Sequence, residues 1–485
     1  MSTGVTLTPL SADNLMKNNK FKYDPGRRTA LKGIALGGAA TIAGGVGSLL
    51  TSCSSSKEPD RSKAAVGTGE MTYRVNPNTD DKVSILGYGC MRWPSVPGSD
   101  GVLDQEAVNE LVDYALAHGV NYFDTSPAYC RGHSEQVTGN ALARHPRDSY
   151  FIATKLSNFA PQTWPREKSM EMYNNSFKYL QTDYIDYLLL HAIGQGGMEN
   201  FNSRYIDNGM LDFLVDEREA GRIRNLGFSY HGDIEVFDTM LKWHDEGRIH
   251  WDFVQIQMNY VDWLHAKEIN ERNTNGEYLY NELAKRGIPA VIMEPLLGGR
   301  LASMPENLTS MLKNARPDDS VASWAFRYAG TPDGILTVLS GMTYKDHLRD
   351  NLATYSPLAP ISADEDALLQ KVATMMLSYP LVQCNDCKYC MPCPHGLDIP
   401  GILLHYNKMV NQGDIVTSVD DPNYAHARRE FLVGMDRKVP KLRQAAHCTD
   451  CKECNKHCPQ SIDIPAELMR IDAYAEALRR GEVTV

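Results

Sequence analysis

From Val83 onward the chain alternates short apolar runs with stretches whose apolar positions recur every three to four residues. The first kind of run reads as a buried strand and the second as an amphipathic helix, so the alternation predicts consecutive βαβ units and a parallel sheet. Eight strand candidates follow one another: VSILGYG, VNYFDTS, YFIATKL, YIDYLLLHA, IRNLGFSY, FVQIQMNY, IPAVIMEPL and GILTVLSG. Between the first two, Val108, Leu111, Val112, Ala115 and Leu116 share one helical face, which Gly119 ends. Between the last two, VASWAFRYA supplies another helix. Eight such units, spread over a span usual for that fold, predict a TIM (β/α)8 barrel. A doubly wound open sheet is the alternative, but no GxGxxG follows the first strand.

At 485 residues the chain exceeds what one core organises. Its patterning divides it into residues 1–53, an export signal; 54–70, a polar tether; 71–360, the barrel; and 361–485, a mainly helical domain. A formal charge of −11 argues against a nucleic-acid partner, because phosphate binding needs concentrated basic surface.

The first segment carries GRRTALKGIALGGAATIAGGVGSLLTS from Gly26 to Ser52. Two arginines, a lysine, a weakly apolar Gly/Ala stretch and small residues make a secretion signal. Arg27-Arg28 with Leu31 and Lys32 resembles the twin-arginine export motif, with Ala30 where that motif prefers Phe. Such export carries folded cargo. Leu50-Thr51-Ser52-Cys53 resembles a lipobox, which implies cleavage at Cys53 and a lipid anchor there; the stretch is Gly-rich and short for a stable span. Localisation in the cell envelope or periplasm is the expectation. Met16, opening MKNNKFKYDPGRR, is the expected true start.

Eight of the eleven cysteines fall in two C-terminal runs, CNDCKYCMPCP (Cys384, Cys387, Cys390, Cys393) and CTDCKECNKHCP (Cys448, Cys451, Cys454, Cys458). The second has the bacterial ferredoxin spacing, and the first is one residue short before its last Cys. Both lead into similar tails, HGLDIPGIL and QSIDIPAEL, an internal duplication. In two-cluster ferredoxins the fourth Cys of each run binds the other cluster. That assigns Cys384, Cys387, Cys390 and Cys458 to one 4Fe–4S cluster, and Cys448, Cys451, Cys454 and Cys393 to a second. The 54 residues between the runs (394–447) contain helical patterns, so the module resembles an α-helical ferredoxin. Zinc is the competing metal for CxxC pairs.

Chemistry in such a barrel sits at the C-terminal strand ends. The second strand offers Asp124 and, just beyond it, Tyr129; the third offers Lys155; the fourth offers His191. These residues, with SEQVTGNAL, GFSY, QIQ and HLRDNL, resemble the aldo/keto reductase family in order over about residues 72–353. The resemblance implies carbonyl reduction or alcohol oxidation with a nicotinamide cofactor. Tyr129 would donate a proton as charge develops on oxygen, Lys155 would stabilise tyrosinate, Asp124 would hold Lys155, and His191 would orient the substrate. It also implies a nicotinamide amide held by Ser229 and Gln255, Tyr260 near the ring, and Asn351 as a further cofactor contact.

The family commonly has Asn after the fifth-strand Ser, where Tyr230 and His231 stand. Positions that hold the 2′-phosphate in NADPH-specific members align with Gly341 and His347, which puts NADPH preference in doubt; Lys345 and Arg349 are nearby substitutes. Cys130, where many relatives have Gly, and Cys90 read as small buried fillers. The expected function is an exported reductase whose electrons exchange with two clusters and a membrane donor or acceptor. The alternative is an electron-transfer subunit whose barrel is a non-catalytic or partner-docking scaffold. Hydride carries two electrons and a cubane passes one, and no flavin motif bridges that difference.

Overall fold

The computed structural model describes residues 69–99 and 101–483. The export signal, Met16, Cys53 and nearly all of the tether lie outside the described residues. A hairpin of β1 (Tyr73–Val75) and β2 (Lys82–Ser84) precedes the barrel strands β3 (Leu86–Gly89), β4 (Tyr122–Asp124), β5 (Phe151–Leu156), β6 (Ile185–Leu190), β7 (Ile223–Ser229), β8 (Phe253–Gln257), β9 (Ala290–Met293) and β10 (Ile335–Ser340). These eight close in the order β10-β3-β4-β5-β6-β7-β8-β9, every pair parallel. All eight predicted strands therefore occur. The first is split: Val83 and Ser84 pair with β1, and Ser84 exchanges two hydrogen bonds with Asn121, its amide donating at 2.8 Å and its hydroxyl accepting at 3.0 Å.

Side chains alternate as a two-residue period demands. On β6, Tyr187 and Leu189 fill the interior with Tyr122, Phe253, Val291 and Leu336, while Leu188 and Leu190 face the surrounding helices. The interior is a packed core, so any site belongs at an end of the barrel. The predicted helices appear as α1 (Gln105–Ala117) before β4 and α10 (Val321–Gly330) before β10.

The C-terminal part contains α12 (Ala363–Met376), α13 (Ile399–Gln412), α14 (Tyr424–Lys438) and α15 (Ile464–Arg480), and no strand among its described residues. The duplicated Asp-Ile-Pro opens both α13 and α15 with Pro in the first turn, where its missing N–H costs nothing. Asp398 caps α13 by accepting from the Gly401 amide at 3.2 Å. Its counterpart Asp463 accepts from Asn455 at 3.1 Å instead.

The two parts share one hydrophobic core. Leu297, Leu301, Met304, Leu308, Leu312 and Trp324 from the barrel side pack with Leu369, Val372, Met376, Ile402 and Leu403. Leu301→Ala is expected to cost about 2–5 kcal/mol, the usual range for emptying a buried leucine site. Barrel fluorescence and cluster absorbance should then be lost together, at lower denaturant, in an equilibrium unfolding experiment.

Candidate functional site

Asp124 ends β4, Tyr129 lies in the turn after it, Lys155 is the penultimate residue of β5 and His191 follows β6. Three neighbouring strands thus deliver all four side chains to one mouth. The Lys155 ammonium donates to Asp124 Oδ1 at 2.5 Å and to the Thr125 carbonyl at 2.8 Å, and lies 4.8 Å from the centre of the Tyr129 ring. Burial pulls the ammonium pKa down and pushes the carboxyl up, and their ion pair opposes both shifts.

The Tyr129 ring meets His191 edge-on, with centres 5.9 Å apart. His191 Nδ1 is 2.6 Å from Ser157 Oγ, which leaves Nε2 for the mouth. Burial, then the cations of Lys155 and Arg204, hold this imidazole well below its ordinary range, so it acts as a neutral group. The expected acidification of Tyr129 by Lys155 does not dominate. Burial first, then the Asp124 carboxylate, pushes the phenol well above 10, because Asp124 already offsets the lysine charge. Tyr129 is therefore held in its protonated form.

Cys130 adopts φ +51°, a left-handed backbone that glycine takes more readily, and its thiol lies 3.3 Å from the Met91 carbonyl. It is half-buried rather than enclosed; Cys90 is fully buried, as expected of a filler.

Behind the mouth, Thr154 Oγ1 donates to Glu135 at 2.6 Å, and burial pushes the Glu135 carboxyl up to about 7. Arg204, also buried, grips the backbone around the histidine: it donates to the carbonyls of His191 and Ala192 and to Asn158 Oδ1. Neither residue carried a sequence signal beyond lying in a family-like phrase or a loop.

The larger surprise is what stands against the mouth. The segment Gln383–Tyr389, which opens the first cysteine run, docks on the ends of β3 and β9. Arg92 donates to the Asn385 and Asp386 carbonyls and pairs with the Asp386 carboxylate at 3.3 Å. Asn385 Nδ2 donates to Glu294 at 3.1 Å, and Arg300 donates to Gln383. A Cβ on Gly298 would stand 2.3 Å from Asn385 Cα, so only glycine permits this approach. Tyr389, between Cys387 and Cys390, senses the charges of Asp124, Cys130 and Glu294.

Thiols of the two runs neighbour one another. Cys384 and Cys387 feel Cys458, and Cys390 feels Cys387, Cys384 and Cys458 and also Cys454 of the second set. Cys448 feels Cys393 and Cys451, and Cys454 feels Cys448, Cys451 and Cys393. Burial and these neighbours raise Cys384 and Cys454 to about 11 and Cys387 to about 12. Among the described residues no three His, Cys, Asp or Glu side chains converge on one ion position.

A nicotinamide amide also finds fitting atoms. Gln255 Oε1 is buried without a hydrogen-bond partner beside Asp124. Ser229 Oγ accepts from the Ala192 amide at 2.8 Å, which leaves its own proton to donate. Tyr260 departs from expectation: it is fully enclosed in the shared core, its ring near Tyr328 and its hydroxyl 3.5 Å from Met304 Sδ, and presents no open ring face. Asn351 is buried and committed to Ser340 at 2.8 Å. Lys345 and Arg349 lie over the Tyr114 ring, at 4.6 and 5.9 Å.

A parallel barrel with this mouth, joined to a helical module with two sets of four thiols, defines an oxidoreductase with an iron–sulfur domain. The model of the aldo/keto reductase family matches residues 85–373, and that of a 4Fe-4S dicluster domain matches residues 383–463. The chain belongs to the aldo/keto reductase family. It is 26% identical over 322 residues to L-galactose dehydrogenase of Arabidopsis thaliana, covering 63% of this chain and 95% of that protein. It is 29% identical over 328 residues to the NADH-specific methylglyoxal reductase of Escherichia coli, covering 60% and 95%. The holo form of aldo-keto reductase AKR11C1 from Bacillus halodurans superposes with a TM-score of 0.50 at 24% identity, over 62% of this chain and 96% of that one, a likeness of fold.

Two outcomes follow from this geometry. Cys458→Ser should abolish the same paramagnetic signal as Cys384→Ser, and Cys393→Ser the same as Cys448→Ser, when reduced variants are compared by EPR. For Glu135, the unfolded carboxyl titrates near 4.5 and the folded one near 7, so the folded chain binds more protons between those values. Its stability contribution is complete below pH 4.5 and is lost as pH rises to 7. Glu135→Gln should match the parent at pH 4 and exceed it at pH 8, the gap opening by at most about 1.4 kcal/mol per pH unit in denaturant titrations.

Proposed function

We propose that this oxidoreductase interconverts a small carbonyl compound and its alcohol at the barrel mouth, and exchanges the electrons with two 4Fe–4S clusters held by the crossed cysteine sets. The observation that carries this is the docking of the first cysteine segment on the mouth that gathers Asp124, Tyr129, Lys155 and His191. Nicotinamide, when bound, supplies or takes up the hydride; the clusters supply or take up single electrons. Two cubanes together hold two electrons, the number a hydride carries, which supports their use as a pair.

The chain's own residues would do the acid–base work. The Tyr129 hydroxyl delivers its proton to the carbonyl oxygen as negative charge forms there, and the Lys155 ammonium beside the ring stabilises the phenolate left behind. Asp124 fixes Lys155, and Ser157 fixes His191 so that Nε2 aims the substrate oxygen. Ser229 and Gln255 would hold the amide of the cofactor. NADH is favoured over NADPH: Lys345 and Arg349 are engaged at Tyr114, Gly341 faces Arg92, and the bacterial relative above is named NADH-specific.

The twin-arginine and lipobox patterns support export and a lipid anchor at Cys53, with a membrane donor or acceptor as partner. Among the described residues no helix is long and apolar enough to cross a membrane. Nicotinamide is scarce outside the cytoplasm, so a cofactor carried out within the folded barrel, or regenerated through the clusters, fits this address.

Tyr129→Phe is the direct test, with methylglyoxal and NADH as probes in anaerobic turnover. Carbonyl reduction should fall about 10²–10⁴-fold, the usual weight of a positioned acid, with iron and acid-labile sulfide unchanged. Unaltered turnover would make the barrel a scaffold for the clusters.

A further inference from the structure

With two clusters bound as proposed above, we infer that Arg300 sets the reduction potential of the cluster beside the barrel, holding it above that of the outer cluster, so that electrons settle at the catalytic mouth.

The two cysteine sets sit in different surroundings. Cys384, Cys387 and Cys390 belong to the segment docked on the barrel and are partly covered; in the other set Cys454 is buried and Cys451 is exposed, which opens that set to solvent. Reduction adds one negative charge to a cubane, in the step [4Fe–4S]²⁺ + e⁻ → [4Fe–4S]⁺, the electron arriving from an external one-electron carrier at the exposed set. Burial alone disfavours that added charge and would make the barrel-side cluster the harder one to reduce. Electrons would then stop at the surface, far from the substrate. A buried cation beside the inner cluster reverses the order, because charges interact strongly where water is excluded.

Arg300 is that cation. It lies in the turn after β9 and is only 8% exposed. Its guanidinium donates to the neutral Gln383 amide, one residue before Cys384, and Nε has no hydrogen-bond partner. The Asp262 carboxylate, and after it Cys384, are the charges that face it. Asp262 Oδ2 accepts from the neutral amides of Gln257 at 2.7 Å and Asn259 at 2.6 Å, and its Oδ1 has no hydrogen-bond partner, so its charge opposes that of Arg300. Arg92 also faces Cys384, but its charge is answered by Asp386 at 3.3 Å. Glu294 faces Cys387 and accepts from Asn385. Arg300 is thus a buried cation next to the inner set that shares its field between Asp262 and Cys384, whereas Lys388, within that set, is exposed and 4.0 Å from Asp386. The cations near the outer set, Lys452 and Lys456, are exposed, so water and salt screen them. Lysine at position 300 would keep the charge while losing the fork that binds Gln383.

The test is an EPR-monitored redox titration of the anaerobic full-length protein, with iron and sulfide counted. Cys451→Ser identifies the inner signal as the one that survives. In the parent the inner signal should appear at higher potential than the outer. Arg300→Met should shift the inner signal to lower potential and leave the outer in place, and Arg300→Lys should restore most of the difference. Should Arg300→Met fail to fold, Asp262→Asn, which removes the opposing charge, must move the inner signal upward. Fewer than eight irons in the parent would overturn the two-cluster reading itself. Eight irons with an inner signal that stays put in these variants, moves together with the outer one, or lies below it in the parent would overturn the role of Arg300 alone.

Discussion

Everything distinctive about this molecule depends on the contact between one short segment and the end of a barrel. Residues Gln383–Asp386 are gripped from three directions, by Arg92 after β3, by Glu294 at the end of β9 and by Arg300 in the following turn. Gly298 makes room for Asn385 where any side chain would collide. The grip is polar and lies above a shared apolar core, so specificity of placement comes from the hydrogen bonds and most of the adhesion from buried leucines and methionines. Without it, a reductase barrel and a ferredoxin-like module would be neighbours in sequence only.

That placement gives the two chemistries a common address. The barrel handles protons with a tyrosine that burial keeps protonated, a lysine whose charge is balanced by Asp124, and a histidine kept neutral. The docked segment brings the first cysteine run to the barrel mouth, while Cys451 of the second run is exposed.

The barrel was legible in the sequence because buried parallel strands leave continuous apolar runs that short helices must separate. The tetrad was legible because each member falls at or just beyond a strand end, a position fixed by the fold. The crossed assignment of the cysteines rests on the resemblance of the two runs to two-cluster ferredoxins. Other features were out of reach for one physical reason: they are products of tertiary docking. Arg92 and Asp386 lie almost three hundred positions apart, and nothing local marks Arg300 or Tyr389 as neighbours of the site. Tyr260, expected near the nicotinamide ring, is buried with its ring near Tyr328 and its hydroxyl near Met304. The run VSILGYG reads as one strand, yet its first residues pair with β1 because the Ser84 amide and hydroxyl are claimed by Asn121.

The most direct trial of the account is whether the clusters and the nicotinamide site share electrons. Full-length protein is reduced with dithionite, freed of excess reductant, and mixed anaerobically with NAD⁺ while cluster absorbance and NADH are followed together. The account predicts reoxidation of the clusters with one NADH formed for every two electrons they lose. Clusters that stay reduced, with no NADH produced, would contradict it.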